Sequence, residues 1–130
     1  MEQGSVVVGL EPPCDRAAPA RVRRALAGVE GLEAVLGDAT LVASELVTNA
    51  VLHSGGRPPD LLEVRVTRRS DGLMISVRDP GLSGRHAVIP TRAGVATGGL
   101  GLRVVDAIAL RWGAARGEGY CVWAELPLAQ

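Results

Sequence analysis

The chain has 130 residues, 47% of them apolar and only 2% aromatic, so its core is built from Val, Leu, Ile and Ala, and a disordered chain is excluded. Fourteen basic residues, every one an Arg, balance fourteen acidic ones. That balance removes the electrostatic case for nucleic acid as the main partner and leaves at most a local Arg patch.

Residues 5 to 10, SVVVGL, read as a short β-branched strand closed by Glu11-Pro12-Pro13. A helical stretch runs from about Ala17 to Leu36, with Arg21, Arg23 and Arg24 on one side and Val22, Leu26, Val29 and Leu32 on another. That Arg face is read as either a solvated surface or a dock for an acidic partner. Gly28 and Gly31 weaken this helix and are its natural points of division. Asp38 is expected to cap a second helix, ATLVASELVTNAVLHS, which Ser54-Gly55-Gly56 ends. Leu62, Val64 and Val66 then alternate with polar residues, Asp71-Gly72 signals a hairpin, and Leu73, Ile75 and Val77 alternate in turn.

The stretch from Pro80 to Gly99 is poor in pattern and rich in Gly, Pro, Ser and Thr, and a connection of that length in a compact domain is usually a functional loop or lid. A helix from Leu100 or Gly101 to about Leu110 and two strands, roughly 111 to 115 and 120 to 126, complete the chain. The class expected is α+β: a two-layer sandwich of one mixed, mostly antiparallel sheet with helices on one face. Cys14 and Cys121 fit no metal-ligand spacing and no disulfide framework. The N-terminus has no basic start, and no apolar run approaches ~18 residues, so a cytoplasmic single domain over residues 1–130 is expected.

Three features could carry chemistry. On SELVTNAVLHS, Ala43, Leu46, Val47, Ala50 and Val51 form an apolar arc, while Glu45, Asn49 and His53 stack four residues apart along another stripe. Leu41, Val42 and Leu52 interleave with that stripe and are expected to cover it in part. A semi-buried carboxylate beside an amide suits a general base next to a Mg²⁺ ligand, and a solvated helix face could carry the same residues. Asp79 continues the inward phase of Leu73, Ile75 and Val77, and Pro80-Gly81 follows it; the pattern fits either a buried acceptor or a turn-initiating Asp. In TGGLGLRVVD, residues 97 to 106, glycines open a helix, where unbonded N–H groups and the dipole favour phosphate; they also suit a plain loop and cap. Neither dinucleotide nor phosphate-loop fingerprints are present, because Val104 occupies the third Gly position and the chain has no Lys.

In this order, SELVTNAVLHS, Asp79-Pro80-Gly81, GGLGLRVVDA and the ending VWAELP resemble the nucleotide-binding boxes of the GHKL (Bergerat-fold) ATPase and kinase superfamily, from about Ala17 to Pro127. The resemblance is nearest to small free-standing proteins similar to anti-sigma-factor serine/threonine kinases. It implies ATP and Mg²⁺ as cofactors, Glu45 as general base, Asn49 as Mg²⁺ ligand that also meets the phosphates, and Asp79 as acceptor for the adenine amino group beside Gly81. It further implies that residues 82 to 98 are the ATP lid and that Gly99, Gly101 and Leu102 hold the phosphates. The implied partner is a small anti-anti-sigma protein phosphorylated on Ser or Thr, with a sigma factor as a second partner and room for a homodimer.

The sequence departs from the usual boxes at Ser83, where a Gly is common, at Leu100, where Arg, His or Met is common, and at Cys121, where a Thr near the pocket is expected. With no Lys, a side-chain phosphate clamp would fall to Arg85 or Arg92. Two other readings stand beside the kinase: a catalytically silent, nucleotide-gated protein-binding module, and an interaction domain without a ligand.

Overall fold

The computed structural model describes residues 4–84 and 100–128. The elements, in chain order, are β1 (Ser5–Leu10), α1 (Ala18–Ala27), α2 (Leu36–His53), β2 (Glu63–Arg68), β3 (Gly72–Asp79), α3 (Leu100–Ile108), β4 (Arg111–Gly117) and β5 (Gly119–Pro127). The strands form one sheet in the order β1-β2-β3-β5-β4, and every neighbouring pair is antiparallel. The α+β sandwich expected from sequence is therefore present, but its sheet is antiparallel throughout the described residues rather than mixed.

The layers follow from period-two patterning. Leu73, Ile75 and Val77 on β3, Val64 and Val66 on β2, and Val122, Ala124 and Leu126 on β5 are all buried, whereas Glu63, Arg65, Arg78 and Glu125 on alternate positions carry the ion pairs of the opposite face. Helix α2 covers the middle of the sheet, packed on β3 and β5 and flanked by α1 and α3. Its Ala39, Val42, Ala43, Leu46, Val47 and Ala50 are buried, as the apolar arc requires, and a fully buried Leu or Val contributes about 1.5–3 kcal/mol. Val51, at the edge of that arc, is only partly covered.

Several boundaries differ from expectation. The first helix stops at Ala27, where Gly28 takes the C-cap, so the glycines do divide the stretch from Ala17 to Leu36. Helix α2 begins two residues before Asp38, at Leu36, with Val35 in the cap position and no side-chain cap bond. Asp38 thus lies inside the first turn, where its charge meets the positive end of the helix dipole. Helix α3 ends at Ile108, and β4 and β5 run longer than expected, leaving Glu118 between Gly117 and Gly119. The indole N–H of Trp112 on β4 donates to Asp106 Oδ1 at 2.8 Å, a link that fixes α3 on the sheet edge.

Candidate functional site

Among the described residues, the buried polar or charged side chains are Ser54 and Asp79, and the turn that follows Asp79 is hydrogen-bonded to Ser54. Asp79 closes β3 in phase with Leu73, Ile75 and Val77, so it faces the helix layer and is only 4% exposed. A carboxyl group in that position needs polar partners, and its Oδ1 accepts the Gly81 N–H at 2.7 Å. Both sequence readings of Asp79 hold at once: it initiates the turn, and it is a buried acceptor aimed at the helix side.

The turn that follows is built on two glycines set back to back. Gly81 has φ +70° and Gly119 φ +82°, a region that side chains rarely adopt. A Cβ on Gly81 would stand 3.0 Å from Gly119 Cα, and one on Gly119 would overlap the carbonyl oxygen of Asp79. Only glycine at both positions lets the β4–β5 hairpin approach the end of β3 this closely.

The turn also reaches the helix layer. Ser83 N–H donates to the carbonyl of Ser54, the residue just after α2, at 3.0 Å. Ser54 Oγ accepts the Gly56 N–H at 3.0 Å and lies 3.7 Å from Cys14 Sγ, which makes Cys14 a buried structural residue. Asn49 sits five residues before Ser54, about 7.5 Å along the helix axis, and Glu45 lies one turn further back. Glu45 and Asn49 are half-buried, as the interleaved apolar residues imply, whereas His53 is exposed. Of the residues expected to cover the stripe, Val42 is buried but Leu41 and Leu52 are exposed, so the cover is one-sided.

Among the described residues no group of three His, Cys, Asp or Glu side chains could hold a metal ion. Asn49 nonetheless offers an amide oxygen, a donor that suits a hard cation taking its remaining oxygens from a ligand and water, and Glu45 offers a carboxylate one turn away. Helix α3 opens at Leu100–Gly101, and Leu102 is 5% exposed with its side chain in the core, so what Leu102 can offer a phosphate is its backbone N–H. Gly99, Arg85, Arg92 and the rest of residues 85–98, expected from sequence to belong to a lid, lie outside the described residues.

Sequence reasoning placed Cys121 near the pocket, and the structure corrects this. Cys121 pairs with Arg78 on the face that carries no helices, and the residue opposite Asp79 is Tyr120. Burial pushes the Cys121 thiol up from its ordinary value, with the Arg78 charge opposing. Tyr120 and Arg116 carry no local signal of a role here, and Ser54, a helix-stop residue in the sequence, spends its hydroxyl on the Gly56 N–H.

A family model for the histidine kinase-like ATPase domain matches residues 14–126, which include all three helices, β2 to β4, and β5 but for its last residue, Pro127. The chain belongs to that family, and ATP is the ligand this assignment supports. No curated protein matches the chain. Among the described residues no helix is long and apolar enough to cross a membrane.

Proposed function

We propose that the protein binds ATP with Mg²⁺ between α2, the turn after Asp79 and the start of α3, and acts as a serine/threonine protein kinase on a small anti-anti-sigma partner. The observation that carries this reading is the buried Asp79 carboxyl group, tied to Gly81 in a turn that Ser83 bonds to Ser54, the residue after the helix bearing Glu45 and Asn49. In this reading residues 1–130 are one domain and residues 82–98 are its lid. Asp79 accepts from the adenine amino group, Gly81 shapes that end of the pocket, and backbone N–H groups at Gly99, Gly101 and Leu102 meet the phosphates.

Glu45 takes the proton of the partner's Ser hydroxyl as that oxygen bonds to the γ-phosphorus, the bond to the β–γ bridging oxygen breaks, and ADP leaves. Magnesium, held through Asn49, supplies neutralisation of triphosphate charge. Most of the rate then comes from positioning and electrostatics. The protein works in the cytoplasm in this reading, with a sigma factor and a second copy of the chain as its further partners.

Calorimetry with ATP, with and without Mg²⁺ and with GTP as competitor, tests the pocket. Mg²⁺-dependent, adenine-selective binding is expected, and its absence would remove the reading. Asn49→Ala is expected to lower Mg²⁺-dependent affinity at least about tenfold with an unchanged melting temperature, and wild-type affinity would remove the metal assignment. With γ-labelled ATP and a Ser-containing partner, Glu45→Gln is expected to slow transfer about 10²- to 10⁴-fold while keeping ATP binding. Ser83 in the adenine box and Leu100 at the start of α3 favour a second reading, a nucleotide-gated binding module. That module would bind ATP yet transfer no label.

A further inference from the structure

Asp79, Tyr120 and Arg116 form one row across β3, β5 and β4, because Asp79 pairs with Tyr120 and Tyr120 with Arg116. Arg116 shares the phase of Trp112 and Ala114 on β4, so the row lies on the helix side of the sheet. The Tyr120 ring is buried, and the Arg116 guanidinium carbon lies 5.8 Å from its centroid, within cation–π range. From there the planar fork reaches the turn after Asp79: Nη1 donates to the Gly81 carbonyl at 3.0 Å and Nη2 to the Ser83 carbonyl at 2.7 Å.

The geometry points to Arg116 as a positioning residue for base recognition, an inference that rests on the ATP reading above. Arg116 pulls the Gly81 and Ser83 carbonyls toward β4, while the Gly81 and Ser83 N–H groups are held by the Asp79 carboxylate and the Ser54 carbonyl. The turn is thereby fixed from the sheet edge on one side and from the end of α2 on the other. With these two carbonyls engaged, the turn holds the Asp79 carboxylate in one place, where the 6-amino group of adenine can donate and O6 of guanine, itself an acceptor, is repelled. Released, the carbonyls become competing acceptors that can meet the donors of guanine. A fork is required for this, because one point charge cannot hold two carbonyls in fixed directions.

The test compares wild type, Arg116→Ala, Arg116→Lys and Arg111→Ala by calorimetry with ATP and GTP, and by amide hydrogen exchange of the ligand-free proteins. Arg111 sits at the other end of β4, where it pairs with Glu125, and serves as the control for loss of a surface Arg. Arg116→Ala is expected to speed exchange at Gly81 and Ser83 and to narrow the ATP-over-GTP preference about tenfold. Arg116→Lys, which keeps the charge but not the fork, is expected to behave like Arg116→Ala, and Arg111→Ala like wild type. An unchanged preference in Arg116→Ala, or full rescue by Lys, would overturn the inference while leaving ATP binding intact. A wild-type protein that bound no ATP would instead sink the reading beneath it, and the inference with it.

Discussion

Strand β3 starts and ends at turns with nearly the same sequence signal, Asp71-Gly72 at one end and Asp79-Pro80-Gly81 at the other. The first closes the hairpin with β2 through Arg69 N–H to Gly72 O at 2.8 Å, and Asp71 is exposed to solvent. The second buries its Asp, needs positive φ at its Gly, and is fastened to α2 through Ser54. Both Asp residues share the inward parity of Leu73, Ile75 and Val77, so parity does not separate them. What does is cover: Asp79 is the last residue of β3, paired with Tyr120 beneath the helix layer, whereas Asp71 lies in the turn before the strand begins. The same residue type serves as a plain turn former where the second layer is absent and as a buried acceptor where it is present.

The comparison is most exposed to failure at the two carboxylates. Asp79→Asn is expected to weaken ATP binding about 10- to 100-fold, because a hydrogen bond to a charged acceptor is lost, whereas Asp71→Asn leaves binding unchanged and shifts stability by less than about 0.5 kcal/mol. Equal effects in calorimetry would mean that burial does not distinguish the turns. The glycines sharpen the same point on the backbone. Gly81→Ala is expected to cost about 1–3 kcal/mol in urea unfolding, since it forces a side chain into a left-handed conformation against Gly119. Gly72→Ala, whose Cβ would stand 3.0 Å from the Leu126 carbonyl but at an ordinary φ, is expected to cost less, about 1 kcal/mol. If the two costs matched, the second turn would hold no special backbone requirement.

The smallest effect comes from a third carboxylate, Glu33, which like Asp79 accepts from a nearby Gly N–H but is fully exposed. Its own backbone amide and the Gly31 N–H hold its carboxyl below the ordinary carboxylate value, with desolvation opposing them and the Arg68 charge adding a lesser pull. A depressed folded value contributes stability above the unfolded value, and that contribution is lost as pH falls through the folded one. Glu33→Gln is therefore expected to melt slightly below wild type at neutral pH, and the gap should close as the pH falls through the folded value of Glu33. A gap that persisted in acid would show that the Glu33 charge is not its source.

How far the sequence could be read follows from which interactions are local. Alternation along β2, β3 and β5 and the apolar arc of α2 predict the layers, because a period of 2.0 or 3.6 residues states directly which side chains must leave water. The order of Glu45, Asn49, Asp79 and the glycines before α3 was enough to suggest an ATP-binding family. The start of α2 was misread because Asp38 has the chemistry of a cap, yet packing of Val35 and Ala39 carried the helix back to Leu36. The resemblance set position 121 near the pocket, but pairing puts Tyr120 opposite Asp79, and alternation along β5 turns Cys121 to the helix-free face.

By itself, then, the sequence determined the composition of the two layers, the spacing of Glu45 and Asn49, and the inward phase of Asp79. Only the tertiary structure decided that Ser54 and Ser83 would meet, that Gly81 and Gly119 would stand back to back, and that Arg116 would reach across Tyr120 to the turn. Those contacts join residues 29 to 38 positions apart along the chain. No local periodicity encodes them; they exist because antiparallel pairing of β3 with β5, and of β5 with β4, brings three strand ends to the same edge of the core.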